Sequence, residues 1–159
     1  MTMIPLTAPD GPIDAMLETP EGSGPWPGVV VLHDGIGLSE DVRDTCRRLA
    51  ANGYLAVAPN LYARGGARCV PAVMREVIST GGGRATRDIL AARDHLVADG
   101  DCTSKVAVVG FCLGGGFVLL VAPKGFDAAA PFCVSPAWGT TRRPPRTPGS
   151  AYSPSSTHI

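Results

Sequence analysis

The amino-acid sequence predicts an α/β fold, a mostly parallel sheet flanked by helices. Two observations carry that expectation. The apolar runs at 28–33, 54–58 and 106–109 are continuous and rich in valine, the pattern of strands buried on both faces of a parallel sheet. Segments of helical periodicity separate these runs, and strands alternating with helices at this spacing pair in parallel through right-handed crossovers.

Taken in order, residues 3–7 and 13–18 alternate weakly around Asp10-Gly11-Pro12 and read as a small antiparallel hairpin. After a Pro/Gly loop at 20–28, the first buried strand ends at His33 and runs into the glycine-rich turn Asp34-Gly35-Ile36-Gly37-Leu38. Ser39 is expected to cap a helix with acidic residues first (Glu40, Asp41) and basic ones later (Arg47, Arg48), the order that suits the helix dipole. Val42, Cys46 and Leu49 form its inner stripe, and Gly53 stops it. The strand at 54–58 closes at Pro59. A short helix is expected at 71–79, then a break at Gly81-Gly82-Gly83. Residues 84–98 are amphipathic, with Ile89, Leu90, Ala92, His95 and Leu96 turned inward and Gly100 as terminator. A third buried strand, a helix at 113–122 and a short strand at 126–130 complete the ordered region.

At 159 residues the chain fits one domain, and 45% apolar with 18% charged residues is a globular composition. The net charge is zero, which argues against nucleic acid as a partner. All 14 acidic residues lie at or before Asp127. The N-terminal segment has neither the basic start nor the apolar core of a signal peptide. Five cysteines, odd in number and without a C-x-x-C pair, point to free thiols in a reducing cytoplasm. His33, His95 and His158 are too scattered to suggest metal ligands, and no cofactor is implied.

The most informative stretch is 105–121, K-V-A-V-V-G-F-C-L-G-G-G-F-V-L-L-V. A strand runs into Gly110-Phe111-Cys112-Leu113-Gly114-Gly115, the pattern of a nucleophile elbow with cysteine as the nucleophile. Such a turn lifts the side chain clear of the sheet and places it at a helix N-terminus, where partial positive charge favours a thiolate. Other readings fit less well. The 18 uncharged residues of 106–123 could nearly span a membrane, but four glycines interrupt them and no basic flank anchors them. A dinucleotide fingerprint needs glycine where Cys112 stands. Cys112 could also be a buried small hydrophobe, the usual fate of a free cysteine. In an α/β sheet, sites lie at the carboxyl ends of strands. Turns 34–38 and 110–116 both belong there.

Together H-D-G-I-G-L (33–38), R-R-L-A-A-N-G-Y-L-A-V-A-P-N-L-Y-A-R (47–64) and G-F-C-L-G-G (110–115) resemble the dienelactone hydrolase family of the α/β-hydrolase fold. The resemblance covers roughly residues 3–132, and it implies an ester or lactone hydrolase acting on a small molecule. Its nucleophile would be Cys112, and the backbone N–H groups of Leu113 and Gly35 would form the oxyanion hole. The family carries a glutamate at the position of Asp34, which is one methylene shorter. Its aspartate in the P-D-L-Y segment is Asn60 here. Asp34 is read as a group at the site rim or as a cap of its turn. Arg64 is read as a rim cation for a substrate carboxylate or as a solvated loop arginine. His33, closing a strand, is expected to be packed and hydrogen-bonded.

In this fold an acid and then a histidine follow the nucleophile. No Asp or Glu follows Asp127, and the only later histidine is His158. From Cys133 onward, 19 of 27 residues are Pro, Ser, Thr, Arg or Gly. The expectation is therefore a partial α/β-hydrolase-like domain over 1–132, lacking the C-terminal strands. Residues 133–159 would be a low-complexity, disordered tail, read as the product of a lost reading frame. Activity would then be absent or weak, and an exposed sheet edge would favour self-association. The alternatives are a non-catalytic remnant or interaction protein of the same fold and, less well supported, a thiol redox protein.

Overall fold

The computed structural model describes residues 2–79 and 82–132. The expected tail and its boundary at 132/133 lie outside them. One six-stranded sheet has the order β1-β2-β4-β3-β5-β6, made by β1 (Thr2–Leu6), β2 (Ile13–Glu18), β3 (Trp26–Leu32), β4 (Leu55–Pro59), β5 (Cys102–Phe111) and β6 (Ala128–Phe132). The hairpin β1–β2 joins β4 antiparallel, while β4, β3, β5 and β6 pair in parallel. The helices are α1 (Glu40–Ala51), α2 (Val70–Ile78), α3 (Arg84–Ala98) and α4 (Leu113–Val121).

The continuous apolar runs work as two-faced strands. Along β3, Val30 and Leu32 enter one core, and Val29 and Val31 enter the other. Leu55 and Val57 of β4 share the first core, and Ala56 and Ala58 the second. Val73 of α2, Ile89, Ala92 and Leu96 of α3, and Phe117, Val118 and Val121 of α4 fill the first core. Val42 and Cys46 of α1 fill the second. The coverage is unequal. Ala107 and Val109 of β5 face the α1 side and are only partly buried, and four of the five residues of the edge strand β6 are exposed.

Most boundaries agree with the sequence to within two residues, and α3 spans the expected 84–98. Ser39 stands at the N-cap of α1, but its side chain makes no capping bond and its Oγ is buried without a partner. Instead its carbonyl accepts the Arg43 N–H at 3.2 Å. Asn52 is the C-cap, and Gly53 follows at φ +84°, the left-handed turn-out expected of glycine. His95, expected to point inward, is partly buried.

The register Leu32↔Gly110 brings β3 and β5 to their carboxyl ends at the same level. The turn after β3 and the turn after β5 are therefore neighbours. Glycine at 114 permits this close packing. A Cβ there would sit 2.5 Å from the Leu32 carbonyl oxygen and 2.7 Å from that of His33. At Gly110 a Cβ would strike the Gly114 carbonyl. Backbone atoms cannot swing aside as side-chain ends do.

Gly114→Ala is expected to destabilise the fold by about 3 kcal/mol, the upper range for overpacking a filled site. Gly100→Ala, where a Cβ meets nothing within 4 Å, should stay within about 0.5 kcal/mol of the parent. Urea midpoints at unchanged m-value would measure both.

Candidate functional site

β5 ends at Phe111, and Cys112 follows at φ 51°, ψ −110° as the N-cap of α4. Positive φ in a residue with a Cβ costs on the order of 1–3 kcal/mol and persists only where the surroundings impose it. The surroundings are identifiable. The Cys112 N–H donates to the Phe132 carbonyl at 2.8 Å, tying the bend to the end of β6, and the Cys112 carbonyl accepts the Gly116 N–H at 3.2 Å. The thiol is left exposed, at the start of a nine-residue helix. Leu113 is the first residue of that helix, where backbone N–H groups have no intrahelical acceptor. Cys46, by contrast, is buried in the second core, and burial pushes its thiol up to about 12.

The neighbouring turn after β3 is held by side chains. His33 is fully buried, with both ring nitrogens engaged. Nε2 accepts the Leu61 N–H at 3.1 Å, so Nδ1 carries the proton and donates to the Asp34 carbonyl at 2.7 Å. Burial lowers the imidazole's pKa, opposed more weakly by the Asp34 carbonyl and charge. His33 is therefore a neutral strut between the β3 and β4 turns and has no nitrogen free to act as a base. Asp34 Oδ1 accepts the Ile36 N–H at 2.8 Å and caps its own turn. Around Gly35 there is open space, with nothing within 4 Å of where a Cβ would stand.

Arg64 departs from the expected free or solvated cation. Its guanidinium donates to Asp88 Oδ2 on α3 at 2.7 Å and to the Gly11 carbonyl in the β1–β2 turn at 2.5 Å. Asp88 is almost completely buried, and burial raises its carboxyl pKa more than Arg64 lowers it. The sequence offered one signal for this pairing, an aspartate on the inner face of an amphipathic helix, where an unpaired charge is costly. Asn60 keeps the cap that an aspartate would supply, since its Oδ1 accepts the Tyr62 N–H at 3.0 Å.

Tyr62 was not singled out by sequence reasoning, yet it belongs to this cluster. Its hydroxyl donates to the Gly35 carbonyl at 3.3 Å, and its ring lies 4.8 Å from that of His33. Burial raises its phenol pKa, followed by the charges of Asp34 and Cys112. Its place in the P-N-L-Y segment, directly after a buried strand, was the available clue.

A sharp strand-to-helix bend after a central parallel strand, beside a second turn on the adjacent strand, fits the α/β-hydrolase fold, here as a mixed six-stranded sheet flanked by helices. The dienelactone hydrolase family model matches residues 13–147. The chain belongs to the dienelactone hydrolase family. A Yersinia pestis protein provisionally named carboxymethylenebutenolidase is 37% identical over 105 residues, 63% of this chain and 39% of the relative. A protein of the same provisional name from Methylorubrum extorquens is 35% identical over 119 residues, 71% of this chain and 41% of the relative. Among solved structures, a dienelactone hydrolase-like promiscuous phosphotriesterase from metagenomic libraries is 31% identical at a TM-score of 0.65, covering 80% of this chain and 56% of that one. The chain thus spans about two-fifths of the length of the curated relatives it matches. Among the described residues, no helix is long and apolar enough to cross a membrane.

Because its folded-state pKa lies below the ordinary 6.5, His33 takes up a proton more readily in the unfolded chain. Its contribution to stability is present above about pH 6.5 and is lost as pH falls through the folded-state value. Unfolding free energy measured from pH 5 to 8 should therefore rise with pH up to about 6.5, by at most about 1.4 kcal/mol per unit, and level off above it. His33→Gln should flatten that slope.

Proposed function

We propose that Cys112 is the nucleophile of an ester- or lactone-cleaving site, with the Leu113 and Gly35 amides as oxyanion donors. The observation that carries this reading is the exposed Cys112 at φ 51°, held at the N-terminus of α4 beside the turn after β3. The sulfur, as thiolate, would attack the carbonyl carbon. Negative charge would develop on the carbonyl oxygen, and each well-placed N–H would be worth about 3–4 kcal/mol to that state. Collapse breaks the C–O bond and leaves a thioester on Cys112, with the departing oxygen taking a proton to become an alcohol. Water then adds to the thioester, releasing the acid and restoring the thiol. The chemical class of substrate is a small carboxylic ester or lactone.

Both thiol deprotonation and water attack need a base in this class of reaction. Among the described residues, His33 is committed to two backbone partners, and Asp34 Oδ1 caps its turn. No Asp or Glu follows Asp127 in the sequence. The reading is therefore one of impaired turnover, in which acylation outruns release.

A second reading, an interaction protein without chemistry, draws on a different observation. The β6 edge is exposed, including Phe132 at 45%, and the α1-side face over β5 is incompletely covered. Exposed edges and apolar patches of this kind favour strand-to-strand association.

Mixing the protein with p-nitrophenyl acetate should leave one acetyl group on Cys112, persistent in intact-protein mass spectra and absent in Cys112→Ala. An unreactive Cys112 would overturn the nucleophile assignment, and rapid multiple turnover would overturn the impairment. Size-exclusion chromatography with light scattering should show molar mass rising with concentration. A sharp, concentration-independent monomer would exclude association through β6.

A further inference from the structure

We infer that Tyr62 is a positioning residue for the oxyanion site, bracing the Gly35 turn through its hydroxyl. This deepens the proposed function and rests on the Cys112 reading. One peptide group, Gly35–Ile36, is gripped at both ends. Its C=O accepts the Tyr62 hydroxyl at 3.3 Å, and its N–H donates to Asp34 Oδ1 at 2.8 Å. The preceding N–H, that of Gly35, is the proposed oxyanion donor, and only the φ and ψ of Gly35 separate it from the gripped group. Glycine has broad φ/ψ freedom, and apart from its chain neighbours nothing lies within 4 Å of where its Cβ would be. The peptide that carries the Gly35 N–H is held at its carbonyl by His33 Nδ1 at 2.7 Å, and the two side-chain bonds hold the peptide that follows, so Gly35 is fixed from both sides.

Tyr62 is itself anchored. Asn60 Oδ1 takes its N–H, and His33 Nε2 takes the N–H of Leu61. Its ring is tilted 58° against the His33 ring at 4.8 Å. The ring also lies against Gly37, where a Cβ would come within 3.3 Å of Cδ2 and the backbone is at φ +99°. Tyr62 thus touches the turn at two points, Gly35 and Gly37. Burial and the nearby Asp34 and Cys112 raise the phenol's pKa, so it keeps its proton and remains a donor. An oxyanion donor must be held in place before charge develops if it is to contribute fully.

The test separates oxyanion support from thiolate supply. Attack of Cys112 on p-nitrophenyl acetate develops an oxyanion. Attack on iodoacetamide displaces iodide at a saturated carbon and develops none. Both rates would be followed at Cys112 by peptide mass mapping. Tyr62→Phe, which keeps the ring, should lower acetylation about tenfold, a fraction of the 10²–10³ lost when a donor is removed outright. Alkylation should stay within about twofold. Asp34→Ala, which frees the other end of the same peptide, should lower the acetylation-to-alkylation ratio in the same direction. Unchanged ratios in both variants, or acetylation and alkylation falling together, would overturn the positioning role and leave the nucleophile assignment standing. A parent chain that is alkylated but never acetylated at Cys112 would overturn both.

Discussion

The structure depends on the close approach of α4 to the end of β3. The β5–α4 bend can be this sharp only because Gly114 presents bare backbone to the Leu32 and His33 carbonyls. That contact holds two turns from strands 78 residues apart in sequence (Leu32 against Gly110) at one sheet edge. It also fixes where the first turn of α4 begins, and so where its unpaired N–H groups point. The Phe132 carbonyl closes the bend from the other side by accepting the Cys112 N–H. The exposed sulfur is thus positioned by backbone contacts that side-chain substitutions nearby would leave intact.

Around this bend the polar groups serve geometry more than chemistry. His33, with no exposed surface and both nitrogens spoken for, joins the β3 and β4 turns. Asp34 and Asn60 each cap the turn in which they sit. Arg64, partly exposed, pairs with the buried Asp88 and ties α3 to the stretch after β4, and the second Arg64 bond reaches the β1–β2 turn. Residues that look catalytic in a list of titratable groups are here the fittings that keep the two turns apart at a set distance.

Much of this was legible in the sequence, for a physical reason in each case. Val29 to Leu32 announced a strand buried on both faces because no polar residue interrupts the run, and the two cores take alternate side chains. The helix at 84–98 was readable because its apolar spacing lacks competing signals. The elbow was readable because close backbone packing admits only glycine at 114. What escaped was tertiary. Ser39 stands at the N-cap, but its hydroxyl turns into a buried site and leaves capping to the backbone. Arg64's partners lie 24 and 53 residues away, and only Asp88's place on the inner face of α3 hinted at one of them. Tyr62 acts on a turn 27 residues earlier, and only the parallel pairing of β3 with β4 brings the two together.

Position 112 sets folding against reactivity. A cysteine at φ 51° carries a backbone penalty that glycine would escape. A chain selected only to be robust would therefore drift toward glycine there and fold more securely for it. On the proposed reading, that penalty is the cost of holding the thiol within reach of solvent. Ser104, at φ 61°, bears a like strain with no thiol to present, so it is the pairing of strain with an exposed sulfur, and not strain by itself, that sets position 112 apart.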